Sequence, residues 1–519
     1  MALTYQSPGV YVEEFQRGVK PIQGVGTSMA AFVGITAEAS RKAIDPDTGE
    51  RIVVESRLNK PTLVTSWTQY TRVFGEFAPD AYLPDAVYGY FANGGGPCYV
   101  TSIRALDEED DNMTAAAVEI PSTGKSTSFV ATAKVSGEMG NQLQLIVKHD
   151  TGDDGKPTGT FTVTVGGQTV SGLSMKKSDG KYIGDAAFEA ISLSEIGVHN
   201  ATPDEGSYTL DGGGSQPLSA ADFIGSAASR TGLEGLEAIE DVRLLVCPDL
   251  MAGYDGSDEA KLRIKIVQEA MIKHCERLRY RFAVLDTPPG LSPSEVLEWY
   301  KFTSFDTSYA AVYYPWIEIA DLGGGGTKLV PPSGHLVGLY NRTDAERGVH
   351  KAPANEVVRG AVALETNISR GEQDNLNPRG INCIRSFAGR GIRVWGARTL
   401  SRDGSWRYIN VRRLFIYVEA SMDAGLQWVV FEPNDRTLWA KIRRDVTSFL
   451  RNVWGSGALF GATEDQAFYV KCDGELNSSD VRDMGQLIIE VGMSPVKPAE
   501  FVIFRISQWA GANAEASGE

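Results

Sequence analysis

Val242-Arg-Leu-Leu-Val-Cys247 and Arg281-Phe-Ala-Val-Leu-Asp286 are short apolar runs, and residues 258–278 between them carry a helical pattern. Strand, long helix and second strand make the repeating unit of a sheet with parallel strands. Such strands are covered on both faces and lose the polar half of their alternation. The pattern runs on through a helix over 293–302 and a strand over 310–314. It also runs backwards: 27–35 reads as a buried strand, 67–74 and 83–92 as helices, and 98–104 as a strand. The expected fold is α/β, a mixed sheet with flanking helices.

Two stretches depart from this pattern. From about 120 to 225 the chain is rich in Thr, Ser, Gly and Val, with alternating segments such as Thr160-Phe-Thr-Val-Thr-Val165 and Gln142-Leu-Gln-Leu-Ile-Val147 between Gly-Asp turns. It reads as a β-rich insertion. The ends differ again. Glu500-Phe-Val-Ile-Phe-Arg-Ile-Ser-Gln-Trp509 is strand-like and precedes a soft tail, and Pro8-Gly-Val-Tyr-Val-Glu-Glu-Phe15 is strand-like and joined to the body by residues 17–24, an extended linker. The organisation expected is an N-terminal arm and linker at 1–24, a discontinuous α/β core at 25–106 and 228–499, the inserted β-rich domain at 107–227, and a C-terminal arm strand with flexible tail at 500–519.

In the C-terminal half, Gly323-Gly-Gly-Gly326 and Pro331-Pro332 mark a surface loop, and a helix is expected over 355–365. Strands follow over 392–397 and 426–431, with a helix over 411–424 between them. The best-specified element is a helix over 436–453, with Asn434 or Asp435 as cap and Gly455 beyond its end. Trp439, Ile442, Val446, Phe449, Leu450 and Val453 share one face at helical spacing, while Arg436, Arg443, Arg444 and Arg451 lie near the other. Those arginines are either a solvated surface or a docking stripe for an acidic partner. A strand over 467–471, a helix near 480–486 and the apolar stretch 487–491 lead to the last segment.

Composition bounds the function. The chain has 519 residues, 42% hydrophobic and 22% charged, with a net charge of −16. That describes a soluble globular protein of several units and argues against general nucleic-acid binding. No long apolar run and no basic-then-apolar leader is present, so neither direct membrane insertion nor secretion is expected, and folding in a cytoplasm is. Cys98, Cys247, Cys275, Cys383 and Cys472 are scattered without a Cys-x-x-Cys pair and read as buried thiols.

No motif demands catalysis. Gly124-Lys-Ser126 has the end of a phosphate loop, but Glu119 stands where its first glycine belongs. The two aspartates of Ile44-Asp-Pro-Asp-Thr-Gly-Glu50 lack the rest of a calcium loop. His149, His199, His274, His335 and His350 are isolated, and His274 beside Cys275 points away from it on one helix. Neither a Gly-x-Ser-x-Gly elbow nor a dinucleotide fingerprint occurs. The expectation is a protein that is not an enzyme and carries no cofactor and no metal.

Several motifs nonetheless agree with one family. Pro8-Gly-Val-Tyr-Val-Glu-Glu14 with Gly24-Val-Gly-Thr-Ser28, then Thr343-Asp-Ala-Glu-Arg-Gly-Val-His-Lys-Ala-Pro-Ala-Asn355, Trp395-Gly-Ala-Arg-Thr-Leu400, and Val429-Val-Phe-Glu-Pro-Asn434 with Leu438-Trp439 resemble the contractile tail sheath proteins of bacteriophages and phage-tail-like injection systems. The match covers 5–105 and about 230–509, and the β-rich stretch falls where such sheaths carry variable insertions.

The resemblance implies stacked hexameric rings around an inner tube protein, with baseplate and sheath-terminator proteins as further partners, assembled in a bacterial cytoplasm into a phage tail or injection particle. It implies inter-subunit arms at Val10, Tyr11, Val12, Glu13, Glu14 and Phe15 and at Phe501, Val502, Ile503, Phe504, Arg505 and Ile506, the latter a segment whose apolar residues on both faces argue for cover on two sides. By position, it places Arg436, Arg443, Arg444 and Arg451 against the tube. The alternative from another class is a surface- or carbohydrate-binding role for the inserted β-rich domain.

Overall fold

A computed structural model describes residues 21–44, 51–78, 81–106, 113–122, 127–152, 157–195, 201–215 and 218–505. The turn at 45–50, the acidic run 107–112, Gly124-Lys-Ser126, His199, the arm Val10–Phe15 and Ile506 lie outside the described residues.

An eight-stranded sheet organises the chain. Its order is Gly391–Val394, Ile381–Phe387, Ala310–Tyr314, Phe282–Asp286, Leu244–Val246, Ala30–Thr36, Cys98–Ala105 and Thr62–Val64. The six inner strands run parallel, with registers such as Ala30↔Leu244 and Ala283↔Ala310, and the two edge strands are antiparallel. The first strand shows why its residues read as a continuous apolar run. Ala31, Val33 and Ile35 point into one core with the helices Asp258–Leu278 and Pro293–Thr303, and Ala30 and Phe32 into the other with Leu83–Ala92 and Ser333–Arg347.

Three expectations fail in the C-terminal half. Residues 355–365 are not helical; Ala361–Leu364 is a strand paired antiparallel with Ile317–Ala320. Residues 426–431 are not a strand, because the helix Ile409–Leu426 continues into a helical turn, Gln427–Val429. The Pro331-Pro332 stretch is buried, not a surface loop, and Pro332 opens the helix Ser333–Arg347. That helix is buried on all sides through Thr343, so it has no amphipathic stripe to read. Its glycines allow close approach to Leu83–Ala92: a Cβ on Gly334 would sit 2.4 Å from the Ala86 backbone, and one on Gly338 2.3 Å from the Tyr90 carbonyl.

The β-rich stretch folds into two four-stranded antiparallel sheets. One is Gln168–Leu173, Pro157–Val165, Gln144–Thr151 and Gly206–Thr209; the other is Ile191–Glu195, Thr127–Ser136, Met113–Pro121 and Gly214–Ser215. Phe129, Phe161, Leu145, Val163 and Ile191 fill the space between them. Just beyond, Leu218 and Phe223 already pack into the core of the main sheet. All five cysteines are buried and free, as their apolar surroundings suggested.

Two buried carboxylates lock the helices to the sheet. Asp249 accepts the backbone N–H groups of Ile35 at 2.6 Å, Leu83 at 3.2 Å and Tyr82. Asp286 accepts the Ser333 N–H at 2.9 Å and the Ser333 hydroxyl. Burial pushes both up to about 7, against which these hydrogen bonds act. A carboxyl with a raised folded-state pKa contributes stability below its unfolded value of about 4, and that contribution is lost as pH rises through the folded value. Unfolding followed from pH 5 to 8 is therefore expected to show stability falling by up to about 1.4 kcal/mol per pH unit for each group. In Asp286→Asn the amide keeps both contacts with the hydroxyl bond reversed, and part of that slope disappears.

Candidate functional site

A third core gathers the C-terminal elements. The helix Arg436–Gly455 starts at Asp435, whose side chain accepts the Leu438 N–H at 2.8 Å, and Trp439 Nε1 donates to Asn434 Oδ1 at 2.8 Å. Leu438, Trp439, Ile442, Val446, Phe449, Leu450 and Val453 face inward, as periodicity predicts. The four arginines are exposed on the other side. Three have partners in their own subunit: Arg443 donates to the Cys472 carbonyl at 3.1 Å, Arg444 pairs with Asp445 at 2.9 Å, and Arg451 grips Glu464 at 2.9 and 3.0 Å. Arg436 has no such partner among the described residues.

The most constrained polar geometry lies on the preceding helix, Ile409–Leu426, and the sequence patterns did not single it out. Arg413, Tyr417, Ser421 and Gly425 recur every four residues and form one face. The N-terminal connection lies along it. Ile22 is buried in the third core and fills the space beside Gly425, where a Cβ would stand 2.8 Å away. Gly24 rests against Tyr417, with room for no side chain, and the Val25 N–H donates to Ser421 Oγ at 3.1 Å. Thr27 Oγ1 donates to Asp344 at 2.6 Å. Arg413 donates to both Asp344 oxygens, at 2.9 and 2.5 Å, and to the Thr27 carbonyl at 3.1 Å. Residues 21–24 are thus a docked strap and not an extended linker. Asp344, which belongs to the Thr343-Asp-Ala-Glu-Arg-Gly motif, ties the strap to Arg413.

The C-terminal segment is rooted at the other end of the same helix. Asn410 Nδ2 donates to the Val496 carbonyl at 3.0 Å, and the Val496 N–H to the Ala458 carbonyl at 3.1 Å. Glu500 is held by Arg398, Asn377 and Tyr408. Burial works against the Glu500 charge, but the Arg398 and Asn377 hydrogen bonds and the Arg398 charge outweigh it and hold the carboxyl below the usual range.

Immediately beyond, Phe501, Val502, Ile503 and Phe504 are 72%, 71%, 79% and 83% exposed and belong to no strand of this subunit. The double-sided cover expected of this segment is therefore not supplied by its own subunit. At about 1.5 Å per residue, Asn410, which holds Val496, and Gly425, against which Ile22 packs, stand about 22 Å apart along the helix.

Beside these roots, Phe468–Lys471 and Glu490–Met493 form an antiparallel two-stranded sheet in the register Phe468↔Met493. Among the described residues, neither strand pairs with any other. Its inner side chains, Phe468, Val470, Val491 and Met493, pack in the third core. No group of three or more metal-ligating side chains occurs among the described residues, and no helix is long and apolar enough to cross a membrane.

Comparison with known proteins agrees with this architecture. Residues 225–400 match the phage tail sheath protein central domain, and 401–508 the phage tail sheath C-terminal domain. The tail sheath protein of Vibrio phage KVP40 is 23% identical over 324 residues, 58% of this chain and 46% of that one, so the chain spans about half of that relative. The helical sheath of the anti-feeding prophage in its contracted state superposes with a TM-score of 0.57 over 97% of this chain and all of that one, at 24% identity. A chain of the anti-feeding prophage baseplate superposes equally well, at 25% identity over 98% of this chain and all of that one. With its central and C-terminal domains both matched and its fold shared along nearly the whole length, the chain belongs to the contractile tail sheath family of phage tails and injection systems.

Proposed function

We propose that the chain is a mechanical subunit that polymerises as stacked six-membered rings around an inner tube and contracts to drive that tube through a target envelope. The observation that carries this reading is a pair of roots, one along Ile409–Leu426 and one at the start of that helix and on residues before it. One holds Ile22 to Thr27, and the other ends at Glu500, where an apolar segment leaves the subunit unpaired. An exposed strand-forming run is a liability unless another chain pairs with it. The isolated pair Phe468–Lys471 and Glu490–Met493 offers two free edges for that pairing. Arms at Val10–Phe15 and Phe501–Ile506 then join copies by backbone hydrogen bonds, which tolerate large rigid-body rotation of the subunits. Energy for contraction is stored in an extended arrangement with poorer packing than the contracted one. Tube formation by the full chain, and its loss without the arm, tests this reading by electron microscopy.

The arginine face of Arg436–Gly455 is proposed to meet the inner tube, with baseplate and terminator proteins contacting the ends of the stack. Its support is the exposed arginine row on one face of a chain carrying −16, in which Arg436 and Arg443 have no acidic partner among the described residues. Arg443→Glu with Arg444→Glu is expected to weaken retention of the tube protein in a pull-down while tubes of sheath still form. Unchanged retention contradicts the docking role.

A further inference from the structure

The polar cluster at Glu500 does more than core packing requires. Its carboxylate accepts four hydrogen bonds: Arg398 Nε at 2.9 Å and Asn377 Nδ2 at 2.6 Å on Oε1, Arg398 Nη2 at 2.7 Å and Tyr408 Oη at 3.0 Å on Oε2. The receptor is preorganised. The Arg398 backbone N–H donates to Asn382 Oδ1 at 2.7 Å, its Nη1 to the Asn377 carbonyl at 3.2 Å, and Asn382 belongs to a strand of the main sheet. The Arg398 side chain is 10% exposed and that of Glu500 18%, so this pair is screened far less than a surface one. One residue later the chain is bare, from Phe501 to Arg505. The cluster therefore stands at the boundary between a fixed and a free segment.

We propose that Glu500 is the positioning residue of the C-terminal arm, a latch that fixes where and in which direction Phe501–Arg505 leaves the subunit; this rests on the arm-exchange reading above. The next anchor inward is Val496, tied to Ala458 and Asn410. Releasing Glu500 moves the pivot back four residues and lets the start of the arm sweep roughly 13 Å of chain, at about 3.3 Å per residue. A strand must arrive in register to within a single residue step of that size, because a one-residue slip exchanges its two faces. Release therefore lowers the effective concentration of the correctly placed strand at the neighbour's sheet edge. Hydrogen bonds from three separate parts of the chain, converging on the last fixed residue, suit that task.

The test uses the purified full chain, Glu500→Ala, Glu500→Gln and a chain ending at Glu500. Two readouts are taken: the melting midpoint of the unassembled subunit, and the yield of pelletable tubes checked by negative stain. Glu500→Ala leaves the Arg398 guanidinium without its counter-ion and is expected to lower the melting midpoint, while its tube yield falls about tenfold at a temperature where the subunit is still fully folded, the scale of a lost effective-concentration advantage. Glu500→Gln, which keeps one acceptor oxygen but neither the second nor the ion pair, is expected to lie between the two. Parental tube yield for Glu500→Ala, with none for the truncated chain, overturns the latch and leaves arm exchange standing. Parental yield for the truncated chain overturns arm exchange and the latch with it. A tube yield that falls only at temperatures where the subunit itself unfolds also overturns the latch, since the cluster then only stabilises the subunit.

Discussion

Deleting residues 1–16 is expected to leave a subunit that folds and melts like the full chain but forms no tubes. The deletion stops short of the strap Ile22–Thr27, so the Tyr417, Ser421 and Arg413 contacts of the helix Ile409–Leu426 are intact and the third core keeps Ile22. What goes is the segment proposed to pair with a neighbour. Each strand added to a sheet edge brings several backbone hydrogen bonds per contact, and a lattice multiplies that contact over every subunit, so a modest loss per copy abolishes the polymer. Tubes of ordinary appearance from the truncated chain, in electron micrographs at the same concentration, contradict the arm mechanism.

Asp344→Asn carries the largest effect expected on the subunit itself. Arg413 and Asp344 are 3% and 6% exposed, and the pair also holds the Thr27 carbonyl and hydroxyl. Removing one charge leaves a buried guanidinium without its counter-ion, a loss of about 3–5 kcal/mol. The measurement is a lower midpoint in denaturant unfolding, accompanied by faster proteolytic cleavage within residues 21–29 as the strap detaches. Arg413→Met combined with Asp344→Leu removes both charges and is expected to recover part of the loss. A single variant as stable as the parent would show that the strap is held without the ion pair.

These two regions differ in how much of them the sequence revealed. The parallel sheet was legible because Leu244–Val246 and Phe282–Leu285 are apolar throughout and separated by a helix-length pattern, and Arg436–Gly455 because its apolar positions recur at helical spacing beside a capping Asp435. Ser333–Arg347 was missed for the opposite reason: with every side buried through Thr343, its composition follows packing and not a 3.6-residue period. Residues 426–431 are rich in β-formers, yet the helix end and the left-handed Phe431, at φ 69°, override that preference.

The arm roots were the least visible. Arg413, Tyr417, Ser421 and Gly425 share no chemistry, and their partners lie hundreds of residues away in Ile22–Thr27. Arg398 sat inside a motif that named the family without saying what the arginine holds. Glu500 could be read only as the first residue of a strand, whereas it is the last fixed point before one.

Copies are proposed to be joined by exchanged strands, one rooted along Ile409–Leu426 and the other at Glu500. A cryo-electron microscopy map of tubes grown from the purified full chain tests this joining most directly. The predicted result is added strands from other copies along the outer edges of Phe468–Lys471 and Glu490–Met493, each continuous with a rooted segment, Ile22 at one end and Glu500 at the other. Tubes in which both arms fold back onto their own subunit, with copies meeting only through side chains, would contradict it.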